Sequence, residues 1–284
     1  MPKLAVIMAV YNNEKTVSLS IESILNQTYK DFTFYICDDG SKDNSYSIIK
    51  SYADKDSRII PLQNTKNSGL SYSLNKMISL VLETDSKYIA RMDGDDISEP
   101  ERFEKQITFL ENHPEISILG ASIQFFDSKG FWGKLQYPEI IENKSFLFRS
   151  PFAHPTVVYS TEAIKKLELQ SQNKTESNHK VFYSEDKKIG RSEDYDLFMR
   201  FQANNLKGHN LQDLLLQYRE DRAAQNKRKF KYTITEARVR FRGFKSLHLL
   251  PKGLIYIIKP IIVGLIPVSL RLKLRKKFFS KEQT

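Results

Sequence analysis

The sequence predicts an α/β fold in which a mixed, mostly parallel sheet is flanked by helices and followed by a basic helical appendage. Three observations lead to this prediction. Short apolar runs alternate with amphipathic stretches over the first hundred residues, which is the pattern of consecutive β-α-β units. Polar and acidic clusters stand directly after those apolar runs. From Arg222 onward the composition becomes strongly basic, which divides a main domain at residues 1–220 from an extension at residues 221–284.

The predicted elements follow one another in a regular order. In the first part of the chain they are strands at residues 4–10, 32–37, 58–62 and 88–92, and helices at residues 16–26, 43–53, 68–82 and 100–112. Further along they are hairpin strands at 116–126 and 131–137, a strand at 155–159, a polar loop at 170–180, a helix at 192–203 and a strand at 210–218. The first four strands are expected to be parallel because a helix joins each of them to the next.

Three polar clusters are expected to meet at one edge of this sheet, where open parallel sheets bind their ligands. Each follows the carboxyl end of a predicted strand, and they lie at residues 9–12, 38–41 and 93–96. In the third cluster, Asp93, Asp95 and Asp96 repel one another unless a cation offsets their charges. Hard oxygen ligands of this kind suit Mg²⁺ or Mn²⁺. The alternative is a solvated acidic turn that caps the next helix.

Four motifs around these positions closely resemble those of the family 2 glycosyltransferases, which have the GT-A fold. They are Val6-Ile7-Met8-Ala9-Val10-Tyr11-Asn12, Ser23-Ile24-Leu25-Asn26-Gln27-Thr28-Tyr29, Asp38-Asp39-Gly40-Ser41-Lys42-Asp43 and Ala90-Arg91-Met92-Asp93-Gly94-Asp95-Asp96. The resemblance is dense over residues 3–112 and sparser at residues 152–155 and 192–196. It implies an inverting enzyme of polysaccharide biosynthesis that transfers a sugar from a nucleotide-sugar to a cell-surface glycan or a lipid-linked acceptor.

The same resemblance implies a nucleotide-binding site in the first two clusters. Ala9, Val10 and Tyr11 match the loop whose backbone and aromatic ring hold the base. Asp39 matches the carboxylate that accepts a hydrogen bond from the imide N–H of the base. This match favours uracil as the base and leaves thymine as an alternative. The expected donor is therefore a UDP-sugar or a dTDP-sugar.

For the metal and the diphosphate, the resemblance implies roles for the acidic turn and for two nearby residues. Asp93 matches a residue that contacts ribose or metal, and Asp95 matches the main metal ligand. Asp96 either orients Asp95 or caps the next helix. His154 is either a third metal ligand or leaving-group contact, or a structural histidine. Arg91 either pairs with Asp95 or reaches a phosphate.

Sugar transfer with inversion needs a base that takes the proton from the acceptor hydroxyl, and one positioned carboxylate is sufficient. Asp194 matches the base of the family, and the neighbouring Glu193 is a candidate substrate contact. The alternative is that Ser192 caps a helix while both carboxylates only complement its dipole.

The C-terminal extension indicates an anionic partner, because it contains 17 Lys and Arg but only 2 Asp and Glu from Arg222 onward. Residues 253–270 are apolar and stand between basic residues, which is typical of an interfacial anchor on anionic lipid. A packed helical appendage or oligomer contact, and a membrane span, are the alternatives. No recognised nucleic-acid-binding motif accompanies the charge, so nucleic acid is not expected as a partner.

Other features bound the location and the class of protein. Residues 1–4 run directly into a strand pattern, and the lone Cys37 stands in an apolar run, so a cytoplasmic protein on the inner face of the cell membrane is expected. The first cluster lacks the glycine-rich, basic loop of a nucleotidyltransferase, and neither a dinucleotide-binding nor a Walker motif occurs. The alternative to an enzyme is a catalytically silent nucleotide-sugar-binding protein or membrane scaffold of the same fold. Retention of the candidate base argues against that alternative.

Overall fold

The computed structural model describes residues 3–172, 182–186, 188–220 and 231–280. In these residues one nine-stranded sheet is flanked by helices, which confirms the predicted α/β class. The strands are β1 Leu4–Val10, β2 Phe32–Asp38, β3 Ile59–Gln63, β4 Tyr88–Asp93, β5 Ile97–Ser98, β6 Ile116–Asp127, β7 Gly130–Leu135, β8 Val158–Ser160 and β9 Lys207–Arg219. The helices are α1 Val17–Leu25, α2 Ser45–Ala53, α3 Leu70–Leu82, α4 Arg102–Asn112, α5 Thr161–Gln172, α6 Glu193–Ala203, α7 Lys231–Ser246, α8 Leu254–Leu265 and α9 Val268–Ser280.

The sheet is mixed, and its parallel part lies on one side. The strand order is β3-β2-β1-β4-β8-β6-β9-β5, with β7 paired to β6. The pairs β1–β2, β1–β4 and β2–β3 are parallel, as the helical crossovers predict. The predicted hairpin is formed by β6 and β7, while β8 runs antiparallel to both β4 and β6. Because β1, β2 and β4 are adjacent and parallel, the polar residues that follow them meet at one edge.

Alternate residues of β1 contribute to two separate halves of the core. Ala5 and Ile7 belong to the half that contains the apolar residues of α3 and α6. Leu4, Val6 and Met8 belong to the half that contains those of α1 and α4. All five side chains are fully buried. A strand that helices cover on both faces is apolar at every position, which explains the continuous apolar run at this end of the chain.

Two segments of the middle region differ from the sequence prediction. The strand expected at residues 155–159 begins as a 3-10 helix at His154–Thr156, and only β8 is extended. Proline has no backbone N–H group, and in the first turn of a helix that group has no intrahelical hydrogen-bond acceptor. Pro155 is therefore compatible with the start of this helix. Helix α5 was not predicted, and its end overlaps the start of the predicted polar loop. Residues 173–180 of that loop lie outside the described residues.

The C-terminal helices pack against the strands and helices of the main domain. Helix α7 buries Val239 and Phe244 in the core, and Leu247, which follows the helix, is buried beside them. Phe279 of α9 is also buried, and its ring centroid lies 5.4 Å from that of Phe125 in β6. The extension therefore contributes side chains to the core on both sides of the sheet.

The predicted apolar stretch at residues 253–270 is divided into two helices at Ile266 and Pro267. Both helices are short, and none among the described residues is long and apolar enough to cross a membrane.

Candidate active site

A cleft of about 1460 Å³ opens at the carboxyl edge of the parallel strands. It is lined by every predicted site residue except Asp96, the last residue of the acidic turn, whose side chain is buried. The lining residues of this set are Ala9, Val10, Tyr11, Asp39, Arg91, Asp93, Asp95, His154, Glu193 and Asp194. The acidic turn after β4 and the first turn of α6, which are a hundred residues apart in the chain, thus share one cleft.

Asp39 is fixed at the end of β2 by the loop that precedes α3. Its Oδ1 accepts hydrogen bonds from Asn64 Nδ2 at 2.8 Å and from the Ser68 N–H at 2.9 Å, and its Oδ2 accepts one from the Gly69 N–H at 2.8 Å. A carboxylate has about four acceptor positions, so these three bonds leave capacity for a donor in the cleft. The backbone N–H of Asp39 also donates to the Val10 carbonyl at 2.8 Å, which ties the first two loops together.

Arg91 pairs with Asp93 rather than with Asp95, the partner that the sequence reading considered. Its Nη1 lies 2.6 Å from Asp93 Oδ2, and its Nη2 lies 2.5 Å from Asp93 Oδ1. The arginine side chain is 2% exposed and that of the aspartate is 28% exposed. Arg91 therefore reaches the cleft from beneath and presents Asp93 toward it through a bidentate ion pair.

The acidic turn has the composition of a cation site. One carboxylate oxygen from each of Asp93, Asp95 and Asp96 can be chosen so that all three lie within 4.8 Å of one another. Asp96 Oδ2 is buried without a hydrogen-bond partner. Burial, together with the negative charges of Asp95 and Asp93, raises the pKa of Asp96 well above its usual range. A divalent cation fits these residues because it offsets the repulsion and takes oxygen ligands.

Arg219, at the end of β9, holds this turn in place. Its backbone N–H donates to Asp96 Oδ1 at 2.8 Å, and its Nε donates to the Asp95 carbonyl at 2.9 Å. The sequence analysis did not assign this role to Arg219, because the contact joins segments more than a hundred residues apart.

His154 is not part of the carboxylate group, although a metal contact was one of its expected roles. Its Nε2 lies 2.7 Å from the Tyr183 hydroxyl, which in turn lies 2.9 Å from the Tyr159 hydroxyl. Burial and the charge of Arg91 lower the pKa of His154 well below its usual value, so the ring is neutral. Asn75 fixes Tyr183 by exchanging two 2.8 Å hydrogen bonds with its backbone. The structure thus favours the structural role for His154, as a neutral member of a buried chain of side chains.

The first turn of α6 carries two carboxylates with perturbed pKa values. Burial raises the pKa of Asp194 to about 6, against the opposing effects of the Tyr195 N–H, which donates to Oδ1 at 2.7 Å, and of the Arg91 charge. Burial and the charge of Asp194 raise the pKa of Glu193 to about 7. Ser192 begins the helix, but its side chain makes no capping hydrogen bond. A carboxylate that titrates near neutral pH in a cleft has the properties of a general base.

The far wall of the cleft comes from residues that the sequence analysis did not select. They are Arg149, Glu236, Arg240, Lys259, Arg271 and Phe279. Most belong to the C-terminal helices, and the only available signal was the Lys259-Pro260 pair that interrupts an apolar run. Residues from both ends of the chain therefore form one cavity.

The family model described as glycosyl transferase family 2 matches residues 5–168. The chain belongs to this family. It is therefore a glycosyltransferase, and the resemblance recognised in its motifs is confirmed.

Relatives of this glycosyltransferase match most of its length. EpsE of Bacillus subtilis is 37% identical over 277 residues, which are 97% of this chain and 94% of EpsE. The Escherichia coli protein WfaP, named UDP-Glc:alpha-D-GlcNAc-diphosphoundecaprenol beta-1,3-glucosyltransferase, is 27% identical over 87% of this chain and 90% of its own.

A solved structure with the same fold is that of S. aureus TarS residues 1–349 in complex with UDP-GlcNAc. It aligns with a TM-score of 0.67 and 18% identity over 90% of this chain and 73% of the TarS chain. This chain spans 43% of the longer TarS chain in another crystal structure. The GT-A fold predicted from the sequence is confirmed by this likeness.

Proposed function

We propose that this enzyme transfers a sugar, with inversion, from a UDP-sugar or dTDP-sugar to a cell-surface glycan or a lipid-linked acceptor. The observation that carries the proposal is that Asp95 and Asp194 line the same cleft. The donor diphosphate and the acceptor hydroxyl must meet at one anomeric carbon, so the groups that serve them have to share one cavity. Two relatives named for O-antigen biosynthesis and amylovoran biosynthesis, WbnJ of Escherichia coli and AmsE of Erwinia amylovora, support this class of reaction.

The proposed donor site lies between the first two loops and the acidic turn. Asp39 retains acceptor capacity for the imide N–H of uracil or thymine, and Tyr11 is 44% exposed at the cleft wall, where its ring can pack against a base. The donor in the name of WfaP is UDP-Glc, and TarS was crystallised with UDP-GlcNAc, which supports a uridine nucleotide here.

The residues that would hold Mn²⁺ or Mg²⁺ in this enzyme are Asp95 and Asp93, with Asp96 behind them. When bound, the ion supplies positive charge that offsets the donor diphosphate and the leaving group. Arg91 orients Asp93 for this purpose, and Arg219 fixes the backbone of the turn. His154 contributes a neutral imidazole to the neighbouring wall and stays outside the proposed ligand set.

The proposed base is Asp194. It removes the proton of the acceptor hydroxyl while the hydroxyl oxygen attacks the anomeric carbon opposite the leaving diphosphate. The new glycosidic bond forms as the bond to the diphosphate breaks, which inverts the configuration. A pKa of about 6 keeps Asp194 ionised at neutral pH and still basic enough to accept a proton. Glu193 is proposed to contact the acceptor beside it.

Membrane association is proposed through the outer face of α8. Four apolar residues share that face, are 53% to 72% exposed, and form the α8 stripe: Ile255, Ile258, Ile262 and Leu265. Lys252 and Lys273 are exposed on either side of this helix. An apolar helix face flanked by cations is suited to anionic lipid, and we place the enzyme on the inner face of the cell membrane.

The proposal is tested by a donor screen with the purified chain. A panel of UDP-, dTDP- and GDP-sugars is added with and without Mn²⁺, and the melting temperature is measured. We expect stabilisation by uridine or thymidine donors that requires the metal. Stabilisation by GDP-sugars alone, or equal stabilisation after chelation of the metal, would contradict the proposed donor site.

A further inference from the structure

Two cations on the far wall of the cleft converge on a single carbonyl oxygen. Lys259 Nζ donates to the Phe148 carbonyl at 3.0 Å, and Arg240 Nη2 donates to the same oxygen at 3.4 Å. Arg240 Nη1 also donates to the Leu147 carbonyl at 2.9 Å. A neutral carbonyl orients these cations without offsetting their charge. Glu236 offsets part of it through an ion pair with Arg240 at 2.9 Å.

Arg149 and Arg271 line the same cleft, and the four cations are together called the basic cluster: Arg149, Arg240, Lys259 and Arg271. Burial and the charges of Arg240 and Arg149 lower the pKa of Lys259, which places these three cations close enough to repel one another. The Nε of Arg271 is buried and has no hydrogen-bond partner. A buried N–H donor without an acceptor lowers the stability of the folded protein unless a ligand supplies the acceptor.

The basic cluster lies where α8 separates the cleft from solvent. Lys259 and Pro260 line the cleft, whereas Ile258 and Ile262 belong to the exposed α8 stripe. One helix therefore presents a cation, Lys259, to the cleft and an apolar surface outward. A ligand with an anionic group and a hydrocarbon chain could contact both at once, with the anion in the cleft and the chain along the stripe.

We propose that the basic cluster is a second phosphate-binding site, which takes the diphosphate of a lipid-linked acceptor and is distinct from the donor site on the acidic turn. The inference rests on the proposed function, because it concerns the acceptor of that reaction. Binding the diphosphate there holds the acceptor sugar toward Asp194, since both line one cleft, while the lipid chain leaves along the α8 stripe. Arginine and lysine side chains are well suited to phosphate oxygens.

The experiment measures binding of farnesyl diphosphate to the full chain by calorimetry. Saturating UDP and Mn²⁺ occupy the donor site first, so that the probe reports on the second site. Farnesol, which lacks the diphosphate, is the ligand control. Lys259→Gln and Arg149→Gln each remove one cation of the cluster. Lys55→Gln is the control, because Lys55 is exposed just after α2, outside the cleft lining and away from the α8 stripe.

We expect farnesyl diphosphate to bind more tightly than farnesol. Each cluster variant should weaken binding of farnesyl diphosphate about tenfold, the usual size for loss of one charged hydrogen bond. The affinity of Lys55→Gln for farnesyl diphosphate, and the affinity of every variant for UDP, should stay unchanged. Equal affinity in the wild-type chain and both cluster variants would overturn the inference. Displacement of the probe by soluble glycerol phosphate as effectively as by inorganic diphosphate would also overturn it, because the cations would then serve single-phosphate headgroups. Loss of UDP binding in the wild-type chain would instead count against the proposed donor function.

Discussion

The guanidinium of Arg91 forms a bidentate ion pair with Asp93 and contacts both carboxylate oxygens, with nitrogen-to-oxygen distances of 2.6 and 2.5 Å. The two residues are two positions apart in β4, so their side chains leave the same face of the strand. Arg91 is buried, and its charge also lowers the pKa of Asp194. A single cation therefore acts on the proposed metal site and on the proposed base.

Replacing Arg91 by methionine should destabilise the protein and increase its response to Mn²⁺. The substitution leaves Asp93 beside Asp95 and Asp96 without a cation, and breaking a buried ion pair costs on the order of 3 kcal/mol. Bound Mn²⁺ would replace the missing charge. The melting temperature, measured with a chelator and with Mn²⁺, should therefore rise more in Arg91→Met than in the wild type.

Arg58→Met is the matched control, because Arg58 makes a similar bidentate pair with Asp56, two positions away and outside the cleft. Its stabilisation by Mn²⁺ should equal that of the wild type. If both variants respond to Mn²⁺ alike, the link between Arg91 and a metal site is wrong.

The hydroxyl of Tyr183 should matter more for stability than the hydroxyl of Tyr159. Tyr183→Phe removes the partner of His154 Nε2 and also that of the buried Tyr159 hydroxyl, and each unsatisfied buried polar atom costs roughly 1–3 kcal/mol. Tyr159→Phe removes only the hydroxyl at the other end of the chain and should cost roughly 1 kcal/mol. Urea unfolding measures both free energies. Equal losses would contradict the central position of the Tyr183 hydroxyl in this chain.

The rate of sugar transfer should depend on pH through Asp194. A base works only when it is deprotonated, and burial raises the pKa of Asp194 to about 6. The value of kcat/KM should therefore fall as the pH is lowered through about 6. Glu193, with a pKa of about 7, interacts with Asp194, so the two carboxylates can titrate together and broaden the inflection. A profile that is flat between pH 5 and 8 would argue against Asp194 as the base.

Glutamate substitutions in the α8 stripe should release the enzyme from anionic membranes. Ile258→Glu and Ile262→Glu place a charge on an exposed apolar face, and loss of one buried isoleucine contact lowers vesicle affinity by about tenfold. Flotation with phosphatidylglycerol vesicles measures the change. Leu19→Glu, at a comparably exposed leucine on α1, is the control and should bind as the wild type does.

Point substitutions are a better test of membrane binding than removal of the tail. Phe279 is buried against Phe125, so a truncation after residue 250 would open the core as well as delete the α8 stripe. Unchanged flotation of both glutamate variants, with the melting temperature preserved, would rule out the stripe as the membrane contact.

The parallel half of the fold was predictable because its signals are local. Continuous apolar runs gave β1 and β2, and turn residues after them marked the edge where the clusters at Asp39 and Asp93 lie. Pairing of Arg91 with Asp93 could also have been derived from the two-residue period of a strand. The far wall of the cleft could not, because Lys259 and Phe279 reach it through long-range packing that no local pattern encodes.

Helix α5 was missed because its sequence is rich in polar residues that also occur in loops. Tyr183 lies between the predicted polar loop and the predicted helix at 192–203, where no element was predicted, so its hydrogen bond with His154 had no signal in the sequence. In contrast, the motif at Asp194 was placed correctly at the start of α6, where burial raises its pKa. The sequence thus predicted the side chains that line the cleft better than it predicted those that hold them in place.

The most direct test of the account compares UDP binding in Asp95→Ala and Asp194→Asn by calorimetry with Mn²⁺, alongside sugar transfer to a polyprenyl-diphosphate-linked acceptor. Asp95→Ala should lose UDP affinity by at least about 100-fold, since even the residues that orient metal ligands contribute 10- to 100-fold. Asp194→Asn should bind UDP as the wild type does and transfer no sugar. Equal loss of UDP binding in the two variants, or transfer by Asp194→Asn, would contradict the division of the cleft into a metal-dependent donor site and a separate base.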